Sequence, residues 1–369
     1  MLVTACGIIV ADIIAAGLPY VPKPGRDLFL DSARRIDLHL GGHASNVSVD
    51  LCKLGLGGTE VSLIGSIGDD IFGDFVEREL GKLGIVANLD RIKRVGTSKS
   101  VVFDVKGEDR RLVHGVGANW YLDPQKVIRT LRTDVPAVFY VGAPGMLGEF
   151  DFKLPKILKL AKALGCTTFV DAVIPYKRPS DLVAPALRWT DIFHSNNIEA
   201  MEIAGERSVS NAVKNLAKHG TKLVIVTSGS AGGTAFTRNF SLNFPSFRVK
   251  VVDPLGAGDA FCAGVIIKLL QWQRKHTPHE RPTFFEDMSV DQLTDMMAYG
   301  AAAGAASCLA EGTTTSVTRR NVRQLLDEQY ARFRKNVRLT KRSLSPINGK
   351  GNMLSASSHA KMKGIKHLE

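Results

Sequence analysis

The stretch Arg248–Leu270, RVKVVDPLGAGDAFCAGVIIKLL, concentrates residues able to do chemistry. Its pattern predicts a strand at Val249–Val252, a turn over Asp253–Gly258, and an apolar helix opening near Asp259. Gly256, Ala257 and Gly258 let the backbone turn tightly and approach another group closely. Their amides, with those that open the helix, face whatever lies in front of the turn. A helix N-terminus also carries partial positive charge, so the turn favours an anion. Asp259 at that N-terminus can serve simply as a cap. The small residues Ala260, Ala263 and Gly264 that follow let the helix lie close under a ligand and against a strand. An anion hole beside a carboxylate suits phosphoryl transfer to a hydroxyl. The amides stabilise charge on the transferring group while the carboxylate takes the hydroxyl proton.

Other polar residues stand at element junctions. Asn196 followed by Glu199 forms a capping box at a predicted helix start. Thr227, Gly229 and Gly232 make a turn after a buried strand. Gly41 and Gly42 form another turn, ahead of Asn46. Asp12 closes the first strand, where an aspartate commonly forms a turn. Arg111, on a polar hairpin, could meet either a carboxylate or phosphate on a substrate or only solvent.

These residues need a scaffold, and the pattern supplies one. Buried-strand candidates are Leu2–Val10, Val61–Ile67, Ala137–Val141, Thr167–Ala172, Asp191–His194 and Lys222–Thr227. Helical spacing runs between them: Val47, Leu51 and Leu54; Phe72, Phe75, Val76, Leu80 and Leu83; Ile157, Leu158, Ala161 and Leu164; Val209, Ala212, Val213, Leu216 and Ala217. The alternation predicts an α/β sandwich with a largely parallel sheet. Arg26–Leu40 and Ser98–Gly117 are more polar, the second reading as a hairpin that turns at Gly107. Such strands suit a small lid over a cleft. His276–Asp291 reads as a surface insertion.

The turn Asp253-Pro-Leu-Gly256-Ala257-Gly258-Asp259 resembles the C-terminal signature of the ribokinase-like (PfkB) family of carbohydrate and nucleoside kinases. Gly41-Gly42-His43-Ala44-Ser45-Asn46, leading to Leu54-Gly55, resembles its N-terminal signature. Gly65–Phe75 (GSIGDDIFGDF) and the Asn196–Glu199 motif match further landmarks. The resemblance covers residues 1–330. It implies a three-layer α/β/α sandwich with a small β lid from about 13–40 and 96–118. It implies an ATP- and Mg2+-dependent kinase acting on a sugar hydroxyl, with Asp259 as base and Gly256, Ala257 and Gly258 as anion hole. Asp12, Gly41, Gly42 and Asn46 would hold the substrate, with Arg111 reaching it from the lid. Thr227, Gly229 and Gly232 would line the nucleotide, and Asn196 and Glu199 would organise Mg2+ through water. Asp253, Gly312 and Ser316 match a region that binds a monovalent cation such as K+ in several members. A nucleoside acceptor, or a relative that binds ligand without catalysis, is the alternative. His43 stands where ribokinases commonly carry lysine, and Gly142-Ala143-Pro144-Gly145 lacks the acidic residue that grips ribose. Both departures count against ribose itself and leave fructose-like sugars, sugar acids, sugar phosphates and nucleosides as the acceptors to weigh.

Competing signatures are missing. No G-x-x-x-x-G-K-[ST] occurs, and neither Gly115-Val-Gly117 nor Gly256-Ala-Gly258 completes a dinucleotide fingerprint after an early strand. The composition of the 369 residues, 44% hydrophobic and 23% charged, is that of a globular protein. The net charge is +12, but +9 of it falls in residues 331–369. That segment is expected to be a disordered basic tail, and no specific nucleic-acid partner is expected. The five cysteines, Cys6, Cys52, Cys166, Cys262 and Cys308, have no metal-ligand spacing and sit in apolar runs. The apolar start, interrupted by Asp12 and without a basic n-region, reads as a strand rather than a signal peptide. No run is long enough to span a membrane. The expected setting is the cytoplasm, with a small-molecule partner and a homodimer through the lid as a further option.

Overall fold

The computed structural model describes residues 1–31, 36–105, 111–275 and 284–341. The chain opens with β1 (Val3–Gly7), β2 (Val10–Leu18) and β3 (Ile36–Gly41), then α1 (His43–Lys53). It continues through β4 (Val61–Gly68), α2 (Ile71–Lys82), β5 (Val86–Ile92), β6 (Lys99–Val105) and β7 (Arg111–Gly115). The middle holds α3 (Pro124–Thr133), β8 (Val138–Gly142), α4 (Glu149–Ala163), β9 (Thr167–Asp171) and α5 (Ala184–Leu187). Then come β10 (Ile192–Asn196), α6 (Asn197–Ala204), α7 (Val209–Lys218), β11 (Leu223–Thr227), β12 (Gly233–Thr237) and β13 (Phe240–Phe244). The last part is α8 (Ala257–Gln273), α9 (Phe284–Asp287), α10 (Val290–Ser307), α11 (Arg319–Lys335) and β14 (Arg338–Lys341).

Ten strands form the central sheet in the order β14-β13-β12-β11-β10-β9-β8-β1-β4-β5. From β11 to β5 the pairing is parallel; β12, β13 and β14 add an antiparallel edge. Buried on both faces, these strands are apolar without alternation. Along β8, Val138 and Tyr140 face α1, α2, α8 and α10, whereas Phe139 and Val141 face α3 and α4. That is the expected three-layer sandwich. A second sheet, β3-β2-β6-β7, forms the lid.

Three details differ from the sequence reading. The first predicted strand is two. After Gly7 the chain leaves the central sheet, because the Asn119 side chain accepts from Ile9 N at 3.1 Å and donates to Ile9 O at 3.0 Å. Asp12 therefore lies inside β2 of the lid, paired with His39 and Ser100, and does not end β1. Val249–Val252 is no strand: Val252 N donates to Cys308 O at 2.8 Å at the end of α10, and Val251 and Val252 are exposed. Finally, structure runs through residue 331. α11 continues to Lys335, and β14 pairs with β13, so the expected tail can begin only after Lys341. The turn at Gly107, residues 276–283 of the expected insertion and the tail from 342 onward lie outside the described residues.

Candidate active site

The parallel strands β8 and β9 end in register at Gly142 and Asp171; β10 and β11 end at Asn196 and Thr227, two residues farther on, since Asp171 pairs with His194. Ligands of open α/β sheets bind beyond such carboxyl ends. The N-terminus of α8 arrives there. Gly256 precedes it with φ 78°, in the left-handed region, and a Cβ on it would lie 2.4 Å from the Thr313 carbonyl oxygen. In the first turn of α8, Ala257 N donates to Pro254 O at 3.4 Å and Ala260 N to Gly256 O at 2.9 Å, while among the described residues the Gly258 and Asp259 amides have no such backbone partner, as at any helix N-terminus. Farther along, Gly264 packs on Gly300 of α10, where an added Cβ would stand 2.9 Å from the Gly300 Cα. At Gly264 the small residue lets α8 approach a helix, while Ala260 and Ala263 share one core with strand residues such as Tyr140 and Phe169.

Asp259 lies in the first turn of α8 and is buried. Asn46, on α1, donates from Nδ2 to Asp259 Oδ2 at 2.7 Å. Thr313 Oγ1 lies 2.9 Å from Asn46 Oδ1 and 3.0 Å from Leu40 O, the two acceptors within reach of its single hydrogen. His43 Nε2 stands 4.0 Å from Asp259 Oδ1. Burial and the nearby Asp171 charge hold the Asp259 carboxyl above its ordinary range, against His43 and Asn46, which pull it down. Burial lowers the His43 imidazole, but Asp259, Asp171 and Glu199 outweigh it and leave it raised.

Gly42 caps α1 and Gly41 ends β3. A Cβ at Gly41 would fall 1.8 Å from Asp12 Oδ2, so only glycine lets this aspartate lie beside the signature turn. Asp12, Gly41, Gly42 and Asn46 are therefore brought together with Asp259. Arg111 is not. It pairs with Phe103 and lies three residues beyond His114 along β7, about 10 Å toward the outer end of the lid. Cross-strand pairing instead lines up His39, Asp12, Ser100 and His114 on one face of the lid, with His114 Nδ1 3.0 Å from Ser100 Oγ. The sequence reading missed this row, since its members are far apart and only strand register aligns them.

On the other flank, Asn196 caps α6. Its Oδ1 accepts from Ile198 N and Glu199 N, both at 2.9 Å, while Glu199 Oε2 accepts from Asn196 N at 2.8 Å. Thr227 ends β11, and Ser228 N donates to Gly232 O at 2.7 Å, closing the loop that carries Gly229. Asp253 accepts from Leu255 N at 2.9 Å and Gly312 N at 3.2 Å, so the α8 turn and the Gly312 loop meet. Ser316 instead donates to the Ala306 and Ser307 carbonyls at the end of α10.

Beneath Asp259 lies a second group that carried no motif. Asp171 Oδ1 is 2.7 Å from His194 Nδ1, and Asp171 Oδ2 accepts from Tyr140 OH at 2.8 Å. His194 Nε2 is 3.2 Å from Thr227 Oγ1, and Cys262 Sγ is 3.2 Å from His194 Nδ1. Burial pushes the Asp171 carboxyl up, yet His194 and Tyr140 more than offset that and hold it below its ordinary value. The available signal was an Asp and a His inside otherwise apolar strands, FVDAV and DIFHS.

The sequence matches the pfkB family carbohydrate kinase over residues 21–320. A ribokinase of Staphylococcus aureus is 23% identical over 309 residues, which cover 80% of this chain and 90% of that protein. Ribokinase from Giardia lamblia has a similar fold, with TM-score 0.76 at 20% identity over 89% of this chain and 98% of that one. A ribokinase II structure from E. coli, in complex with ATP and Mg2+, gives TM-score 0.68 at 20% identity over 89% and 99%. No helix among the described residues is long and apolar enough to cross a membrane. With the match spanning most of its length, the chain belongs to the pfkB family of carbohydrate kinases.

Proposed function

We propose that this chain transfers the γ-phosphoryl group of ATP to a hydroxyl of a sugar or sugar derivative, with Asp259 as the general base. The observation that carries this reading is the placement of one buried carboxylate within the first turn of α8, hydrogen-bonded by Asn46 and standing at a helix N-terminus. Asp259 takes the proton of the acceptor hydroxyl as its oxygen attacks phosphorus. The amides of Gly256, Ala257 and Gly258 meet the charge that grows on the transferring group. Asp12, Gly42 and Asn46 hold the acceptor, and the polar row His39–Asp12–Ser100–His114 suits a polyhydroxylated molecule. Closure of the lid would exclude water.

ATP and Mg2+, bound by the E. coli fold neighbour, support the same donor here. The donor set fits: the Asn196–Glu199 cap uses Oε2, and among the described residues no side chain or amide donates to Glu199 Oε1. That oxygen would hold a metal-bound water, and Mg2+ when bound neutralises phosphate charge. Thr227, Gly229 and Gly232 would line the nucleotide. Asp253 and the Gly312 loop are the oxygen-rich place for a monovalent cation, with Ser316 supporting the loop from α10.

Asp259→Asn is expected to keep nucleotide binding and to lower turnover by roughly 10²–10⁴. ADP release over a panel of sugars, sugar acids, sugar phosphates and nucleosides measures both activity and acceptor. Turnover by Asp259→Asn equal to that of the parent would remove Asp259 from this role.

A further inference from the structure

Resting on the kinase reading above, we propose that His194, clamped by Asp171, is a positioning residue that joins the two halves of the phosphate site, the first turn of α8 and the Thr227 loop. One imidazole touches both. Its ring stacks on Phe261 of α8 with centroids 5.4 Å apart and planes at 22°, and its Cε1 lies 3.6 Å from where a Gly258 side chain would begin. Its Nε2 reaches Thr227 Oγ1 at 3.2 Å. The other edge is fixed by Asp171 at 2.7 Å, itself held by Tyr140, and by Cys262 Sγ at 3.2 Å.

The chemistry sets a direction along this chain of contacts. A carboxylate only accepts hydrogen bonds, so His194 Nδ1 carries a hydrogen and donates it to Asp171. With Nδ1 turned to Asp171, Nε2 is the ring atom that meets the Thr227 hydroxyl, 3.2 Å away. Thr227 is left with its oxygen lone pairs in a defined direction at the mouth of the nucleotide loop. A ring that could flip or tilt would leave the Thr227 hydroxyl free to rotate, and would shift that loop relative to Gly258. Asp171, Tyr140, Cys262 and Phe261 prevent both.

Asparagine and glutamine separate the two edges of the ring, because an Asn amide reaches about as far as Nδ1 and a Gln amide about as far as Nε2. His194→Asn should keep the Asp171 contact and lose Thr227. His194→Gln should do the reverse. We expect His194→Asn and Thr227→Val each to raise KM for ATP about threefold to tenfold, the worth of one hydrogen bond, with KM for the sugar unchanged. His194→Gln and Thr227→Ser should stay closer to the parent. The double variant His194→Asn/Thr227→Val should be no worse than either single one, since both break one contact. Thermal unfolding of each variant checks the fold, and Thr227, half-buried at a strand end, gives an arm that does not disturb the core. Equal losses of thermal stability in His194→Asn and His194→Gln with KM for ATP untouched would reduce the group to a core polar cluster and overturn the proposal. So would multiplicative effects in the double variant. A parent chain that phosphorylates sugar while these variants leave ATP kinetics alone refutes only the role of His194. A parent without ATP-dependent phosphorylation refutes the kinase reading itself.

Discussion

Beneath Asp259 the protein keeps Tyr140, Asp171, His194 and Cys262 at 3% exposure or less, each with a polar partner. Across the cleft, the lid leaves Ile36 on β3 65% exposed and Val113 on β7 66% exposed. The floor belongs to cores that run through both faces of the central sheet, while the lid holds two clusters of three buried residues each. Floor and lid meet at Gly41, where Asp12 of the lid lies beside the turn that starts α1. The contrast teaches a division of labour. A deeply buried floor is expected to open only with global unfolding, and a lid with so small a core to open at little cost.

The sharpest way to break this contrast is Gly256→Ala. The left-handed φ and the 2.4 Å approach to the Thr313 carbonyl set backbone against backbone, with no rotamer to relieve it. We expect roughly 1–3 kcal/mol of destabilisation in denaturant unfolding and a disproportionate loss of kcat/KM, because α8's amides would move. A second, smaller effect concerns Asp151 of α4, which accepts from Gly145 N and Leu147 N and so pins the loop after β8. Burial lifts its carboxyl to about 6 despite those bonds. A folded value above the unfolded one means that the native state holds the proton more tightly. This contribution is complete below about pH 4 and is lost as pH rises toward 6. Asp151→Asn should therefore flatten the dependence of melting temperature on pH across that window, and an unchanged slope would count against it. The smallest expected effect is on the lid: Val113→Ser should shift global stability by no more than about 0.5 kcal/mol. Hydrogen exchange sharpens the same point, with amides of β3 and β7 exchanging well before those of β8 and β9. Equal protection would dissolve the distinction between floor and lid.

The floor was more legible in the sequence than the lid. Apolar runs such as LVIVT and VFYVG can only be central strands, and the Gly256–Asp259 turn announces itself through residues adjacent in sequence. Asn46 was placed through its signature, though nothing local predicts its bond to a carboxylate 213 positions away. Three kinds of information were out of reach. Propensity marked Val249–Val252 as a strand, but its backbone is taken by the end of α10, a tertiary contact that propensity does not see. The break after Gly7 depends on Asn119 capturing the Ile9 backbone, a tertiary contact. The row His39–Asp12–Ser100–His114 follows from register, which pairs residues that the sequence keeps apart. Arg111 shows the same limit: the sequence puts a cation on a lid strand, and only register gives its distance along that strand from His114.

β14 has a consequence of its own. Without it, β13 would present a bare row of amides and carbonyls on a strand whose Phe240, Leu242 and Phe244 are already buried. Such a margin is a template on which another chain can crystallise its own strand. The short segment Arg338–Lys341 occupies that template from within the same molecule, antiparallel and in register from Phe240 to Asn243. It works as a hem on the sheet. A chain trimmed at the end of α11 would keep every residue assigned to catalysis and lose its protection against zipping edge to edge with its neighbours.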